Sequence, residues 1–124
     1  MSLLLDTHVI LWWLEGSTLR EEVVDRIAHP GTLVVVSAAS IWEAAIKQML
    51  GKLDVPESLT GAVLDEGFEP LPITFDHAGR AGALPPHHRD PFDRMLIAQA
   101  AVEGLTIVTH DLAFDAYEVD VLRA

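Results

Sequence analysis

Leu33-Val34-Val35-Val36 constrains the fold more than any other segment. Four consecutive apolar residues, three of them β-branched, leave no polar face for solvent, so the segment reads as a strand covered on both sides. Leu3-Leu4-Leu5 and Leu105–Val108 have the same character, and each of the three runs ends in a polar turn: Asp6-Thr7, Ser37 and Thr109-His110-Asp111. Helical segments fall between them. His8–Leu14 stops at Glu15-Gly16, and a second helix, with Ser17 as its cap, carries Val23, Val24 and Ile27 as far as His29-Pro30-Gly31. Ser37 caps a helix from about Ala38 to Leu50, and Glu57–Glu66 and Ala78–Leu84 are further helical stretches. Asp90 as N-cap and Pro91 in the first turn open a strong helix to Glu103, because proline has no N–H to leave unpaired there. Leu71–Ile73 and Val119–Leu122 read as edge strands. Strands alternating with helices imply βαβ units. The expected architecture is a three-layer α/β/α fold with a central, mostly parallel sheet. At 124 residues it is expected to form a single domain over 1–124, large enough to bury its core without disulfides.

Several function classes are excluded or disfavoured. The chain has no cysteine, which removes thiolate metal sites and cysteine nucleophiles together. Its longest wholly apolar run, Val9–Leu14, is far shorter than a membrane span. Met1-Ser2 leads directly into Leu3 without a basic leader, so a cytoplasmic location is expected. Eight Lys and Arg stand against nineteen Asp and Glu, a formal net charge of −11. That balance disfavours salt-driven attachment to duplex DNA, favours a basic protein partner, and leaves room for a nucleic-acid enzyme whose acids gather at one site.

Four acids are placed differently from the solvated majority. Asp6 and Asp111 follow the carboxyl ends of apolar strands, the edge at which open α/β sheets bind ligands. Glu43 is the only acid in a largely apolar helix, with Lys47 one turn on as a candidate ion pair. Asp93 shares a helical stripe with Leu96, Ile97 and Ala100, while Asp90 is available to do the capping. If all four converge at separations of about 6 Å, each like-charged pair costs roughly 3 kcal/mol at an effective dielectric near 20. The six pairs together then cost on the order of 15 kcal/mol, comparable with the stability of a whole domain. Such a cluster persists only by taking up protons or binding divalent cations, and oxygen donors without thiolates suit Mg²⁺ or Mn²⁺.

The segments that carry these acids are Leu-Leu-Asp6-Thr-His, Ser-Ala-Ala-Ser-Ile-Trp-Glu43, His-His-Arg-Asp-Pro-Phe-Asp93-Arg-Met-Leu-Ile-Ala-Gln-Ala and Ile-Val-Thr-His-Asp111. In this order and spacing they resemble PIN-domain ribonucleases, in particular the VapC-type toxins of bacterial toxin–antitoxin pairs. The resemblance implies a Mg²⁺- or Mn²⁺-dependent endoribonuclease that cuts RNA, is restrained by a small antitoxin protein and forms a homodimer. It implies that Asp6, Glu43 and Asp93 are the core metal-binding acids and Asp111 a fourth, with Thr109 as its hydroxyl neighbour. Arg94, Arg89, Lys47 and Thr109 are candidate contacts to substrate phosphate.

Competing readings are weaker. His87-His88 are adjacent in a loop and no HExxH pattern exists, so a histidine metal site is not expected. Trp12 and Trp13 cannot both face inward on one short helix, so one of them is expected at the surface or in an interface. A phosphoacceptor receiver domain would need an acidic pair after the first strand and a late lysine; both lysines, Lys47 and Lys52, lie in the first half. A phosphatase of the haloacid-dehalogenase type would need Asp-x-Asp where the chain has Asp6-Thr7-His8. The serious rival is a catalytically silent PIN-like module that acts through its protein partner.

Overall fold

A computed structural model describes residues 1–16 and 18–124; the expected cap Ser17 lies outside the described residues. Leu3, Leu4 and Leu5 are fully buried in β1 (Ser2–Leu5), the middle strand of a five-stranded sheet ordered β3-β2-β1-β4-β5. The neighbours are β2 (Leu33–Ser37) and β4 (Thr106–Thr109), with β3 (Glu69–Leu71) and β5 (Val121–Arg123) at the edges. Every pairing is parallel, and Leu4 lies opposite both Val35 and Ile107. The sheet is therefore wholly rather than mostly parallel.

Alternation along the strands divides the core between the two faces. Leu3, Leu5, Val34, Val36 and Val108 point to one face, where α1 (Thr7–Glu15), α2 (Glu21–Ala28), α3 (Ala38–Met49) and α4 (Leu59–Asp65) contribute Val9, Ile10, Val23, Ile27, Ala44 and Val63. Leu4, Val35 and Ile107 point to the other, against Leu96, Ile97 and Ala100 of α6 (Pro91–Glu103) and Phe114 of a 3-10 turn (Leu112–Ala116). α5 (Phe75–Ala83) packs beside α6. The crossovers change face between β3 and β4, so the strand order reverses at β1 and β4. A crevice opens at their carboxyl ends, the position at which such sheets bind ligands.

Some elements depart from the expectation. β3 lies two residues earlier than Leu71–Ile73, and includes Pro70; an edge strand pairs on one side only, so a proline there need not break a ladder. β5 begins at Val121 rather than Val119. α5 starts at Phe75 because Thr74 and His77 form a reciprocal cap, with Thr74 Oγ1 accepting from the His77 N–H and His77 Nδ1 accepting from the Thr74 N–H. The usual partner in such a box is Glu or Gln, so the signal is hidden in the sequence. Trp12 and Trp13 are both half-buried, against His110 and Phe68 respectively; the exposed tryptophan is Trp42, 61% accessible beside Phe92.

Candidate metal centre

Each of the four acids is held by the turn that delivers it. Asp6 leaves β1 as the N-cap of α1, its Oδ1 accepting the Thr7 N–H at 2.7 Å and its Oδ2 the Thr109 hydroxyl at 2.8 Å. Glu43 lies on the second turn of α3, accepting from the Thr7 hydroxyl and, at 2.7 Å, from Lys47 Nζ. Asp90 caps α6 by accepting the Phe92 and Asp93 N–H groups, and this leaves the Asp93 carboxylate free to face the crevice. Asp111 follows β4; its Oδ1 caps the 3-10 turn through the Ala113 N–H, and its Oδ2 lies 3.7 Å from His88 Nε2.

Asp6, Glu43 and Asp93 converge. They are 6%, 4% and 9% exposed, and each offers a carboxylate oxygen within 4.8 Å of the others. A second group, His88, Asp93 and Asp111, meets the same distance limit, so Asp93 belongs to both. The acids open into a cleft of 610 Å³ that His8, Lys47 and His110 also line.

Burial dominates the electrostatics. It raises the pKa of Asp6, opposed by the Thr109 hydroxyl and the Thr7 N–H. It also pushes Asp93 up to about 8, with the charges of Asp6, Asp90, Glu43 and Asp111 adding to the shift. The Glu43 hydrogen bond raises Lys47. Without a cation, Asp93 is thus largely protonated at neutral pH, which is one of the two ways a crowded carboxylate cluster can persist. The other is occupation by a divalent ion. The donors of the first group are hard carboxylate oxygens from three chain segments, and among the described residues Lys47 is the only lysine or arginine lining the cleft. The set fits Mg²⁺ or Mn²⁺.

The candidate phosphate contacts need correction. Arg94 does not face the acids; its guanidinium donates to the carbonyls of Ala81, Leu84, Pro85 and His88 at 2.8–3.3 Å. Thr109 is fully buried, its hydroxyl donating to Asp6 and accepting from the Asp111 N–H, so it supports the acids rather than reaching a substrate. Lys47 lines the cleft but is bound to Glu43. Arg89 is exposed on the loop before α6. Two contributors escaped the sequence reading. The Thr7 hydroxyl links α1 to Glu43 across 36 residues, a contact no local spacing reveals. His88, set aside as one of two adjacent loop histidines, brings Nε2 to 2.9 Å from Asp93 Oδ2; its place five residues before Asp93 was the available signal.

The family described as PIN domain matches residues 3–120. No curated protein matches the chain. Among solved structures, VapBC2 from Rickettsia felis bound to a promoter DNA fragment superposes with a TM-score of 0.73 at 14% identity, covering 99% of this chain and 98% of that one. DNA-bound VapBC from Salmonella typhimurium gives 0.72 at 18% identity with the same coverage. VapC20 from Mycobacterium tuberculosis, described as a sarcin-ricin loop cleaving toxin, gives 0.63 at 15% identity, covering 98% of this chain and 99% of that one.

Proposed function

The chain belongs to the PIN domain family, and from that premise we propose that it is a Mg²⁺- or Mn²⁺-dependent endoribonuclease toxin held inactive by a cognate antitoxin. The observation that carries the reading is the convergence of Asp6, Glu43 and Asp93, buried yet opening into a cleft at the carboxyl ends of β1 and β4. Asp6, Glu43 and Asp93 would hold a first ion, and Asp111 would help to place a second. A divalent ion bound there would supply Lewis-acid activation of water and charge neutralisation at a phosphodiester. The protein's own part is to hold the carboxylates in place beforehand. Thr109 fixes Asp6, Thr7 ties Asp6's helix to Glu43, and the Asp90 cap frees Asp93. Support for a partner comes from the neighbours, which include the VapBC structures above and FitAcB from Neisseria gonorrhoeae; an acidic chain of this kind suits a basic antitoxin. We further propose a homodimer acting in the cytoplasm. A silent binding module would leave four clustered acids without a role.

The test is cleavage of a total RNA pool in Mg²⁺ or Mn²⁺. Cleavage is expected with either ion, abolished by EDTA and reduced at least a hundredfold in Asp6→Asn. An Asp6→Asn chain that cuts as well as the parent would refute the ligand assignment.

A further inference from the structure

The cleft is poorly equipped to hold RNA by charge. Among the described residues Lys47 is its only lysine or arginine, and Lys47 is bound to Glu43 at 2.7 Å. Arg94 is engaged by four carbonyls, and over the whole chain acids outnumber bases nineteen to eight. Binding through counterion release needs many phosphate contacts from Lys and Arg, and beyond the exposed Arg89 on the loop before α6 the cleft offers few, so a substrate needs a further hold. One wall of the same cleft carries aromatic rings that the cation chemistry does not use. His8 lies two residues past Asp6, in the first turn of α1, and His110 lies between Thr109 and Asp111. Trp12, one turn beyond His8, ties the two together. Its ring centroid is 4.8 Å from His110 at 67° and 5.8 Å from His8 at 42°, and the two imidazoles are 6.5 Å apart at 71°. His8 and His110 line the cleft, and His110 remains exposed, as does Leu112 beside it.

Resting on the nuclease reading above, we propose that His8, Trp12 and His110 form a stacking subsite for an unpaired nucleobase next to the phosphate that the acids address. Both imidazoles are one or two residues from a candidate ligand, so a nucleotide whose phosphate met a cation held by these acids would bring its base to this wall. Single-stranded RNA is characteristically bound by stacking its splayed bases on aromatic and histidine rings, and such contacts carry affinity without fixed charge. The subsite therefore selects unpaired RNA over duplex, with a shallow dependence on salt.

The test uses the full chain with Ca²⁺ in place of Mg²⁺ or Mn²⁺, an ion that the same carboxylate oxygens can hold and that activates water less, and a labelled mixed-sequence eight-nucleotide single-stranded RNA. Its Kd is compared with that of the same backbone made abasic at every position. His110→Ala in Ca²⁺ is expected to weaken binding of the RNA by about tenfold, His110→Phe to restore it, and the abasic strand to bind parent and His110→Ala alike. Equal affinity of parent and His110→Ala for the RNA overturns the proposal; failure of His110→Phe to restore binding overturns stacking as its basis. Cleavage of the same RNA by the unsubstituted chain in Mn²⁺ separates the two readings. Cleavage without any effect of His110 removes the subsite and leaves the nuclease standing, whereas neither binding nor cleavage removes both.

Discussion

At the scale of single residues, the centre is held together by contacts that serve the acids rather than the substrate. Asp93 is the pivot, shared by both candidate ligand groups and carrying the large upward pKa shift. That shift has a definite consequence for the metal-free protein. A carboxyl whose folded pKa of about 8 exceeds its ordinary 3.8 binds its proton more tightly when folded, so the stability it contributes is present below about pH 4 and is lost as pH rises through 8. Asp93→Asn, which carries no charge in either state, does not lose it. In EDTA, Asp93→Asn is therefore expected to melt progressively higher than the parent as pH is raised from 5 to 8.5, with the gap closing towards pH 4. Thermal unfolding across that range checks it, and a gap independent of pH would show that Asp93 ionises normally. Which acids the fold gathers was legible from sequence, because Glu43 on a largely apolar helix and Asp93 on a core-facing stripe are conspicuous. Their supports were not. The Thr7–Glu43 and Thr109–Asp6 contacts join residues 36 and 103 positions apart, and Arg94, which charge and its place beside Asp93 marked as a phosphate contact, bonds instead to carbonyls that only the folded loop brings together.

At the scale of elements, the loop between α5 and α6 decides where the first turn of α6 points. Arg94 closes that loop by binding carbonyls of Ala81, Leu84, Pro85 and His88, and Tyr117 pins it from the far side, donating to the Pro85 carbonyl and accepting the His88 N–H. Removing the guanidinium leaves several partly buried carbonyls without partners, at about 1 kcal/mol or more each. Arg94→Ala is expected to cost about 2–4 kcal/mol in denaturant unfolding and to weaken Mn²⁺ binding by displacing Asp93. A loss below 0.5 kcal/mol would show that the loop holds itself. Elements with strong local signals stood out in the sequence: α6 with Asp90-Pro91 at its start, and β1, β2 and β4 as apolar runs. Those set by tertiary partners were displaced or missed. β3 takes its register from β2, with Val36 opposite Pro70, α5 begins with a histidine in place of the usual capping acid, and the 3-10 turn after Asp111 has no periodic pattern to announce it.

At the scale of the whole molecule, topology concentrates the charge. Reversal of strand order at β1 and β4 puts the ends of two buried strands side by side, and α3 and α6 direct their N-terminal ends to the same edge. Four acids separated by as much as 105 positions thereby meet in one cleft, which is the arrangement a divalent cation would relieve. The most direct measurement of that claim is thermal unfolding at pH 7.5 with and without Mn²⁺, on the unsubstituted chain and on Asp93→Asn. Mn²⁺ at ten times its dissociation constant should stabilise the folded chain by about 1.4 kcal/mol, on the order of 4 °C for a domain of this size. The predicted result is such an upward shift in the parent and its loss in Asp93→Asn. An unchanged melting temperature in the parent at saturating Mn²⁺, or an equal shift in both proteins, would contradict a cation site built on these acids.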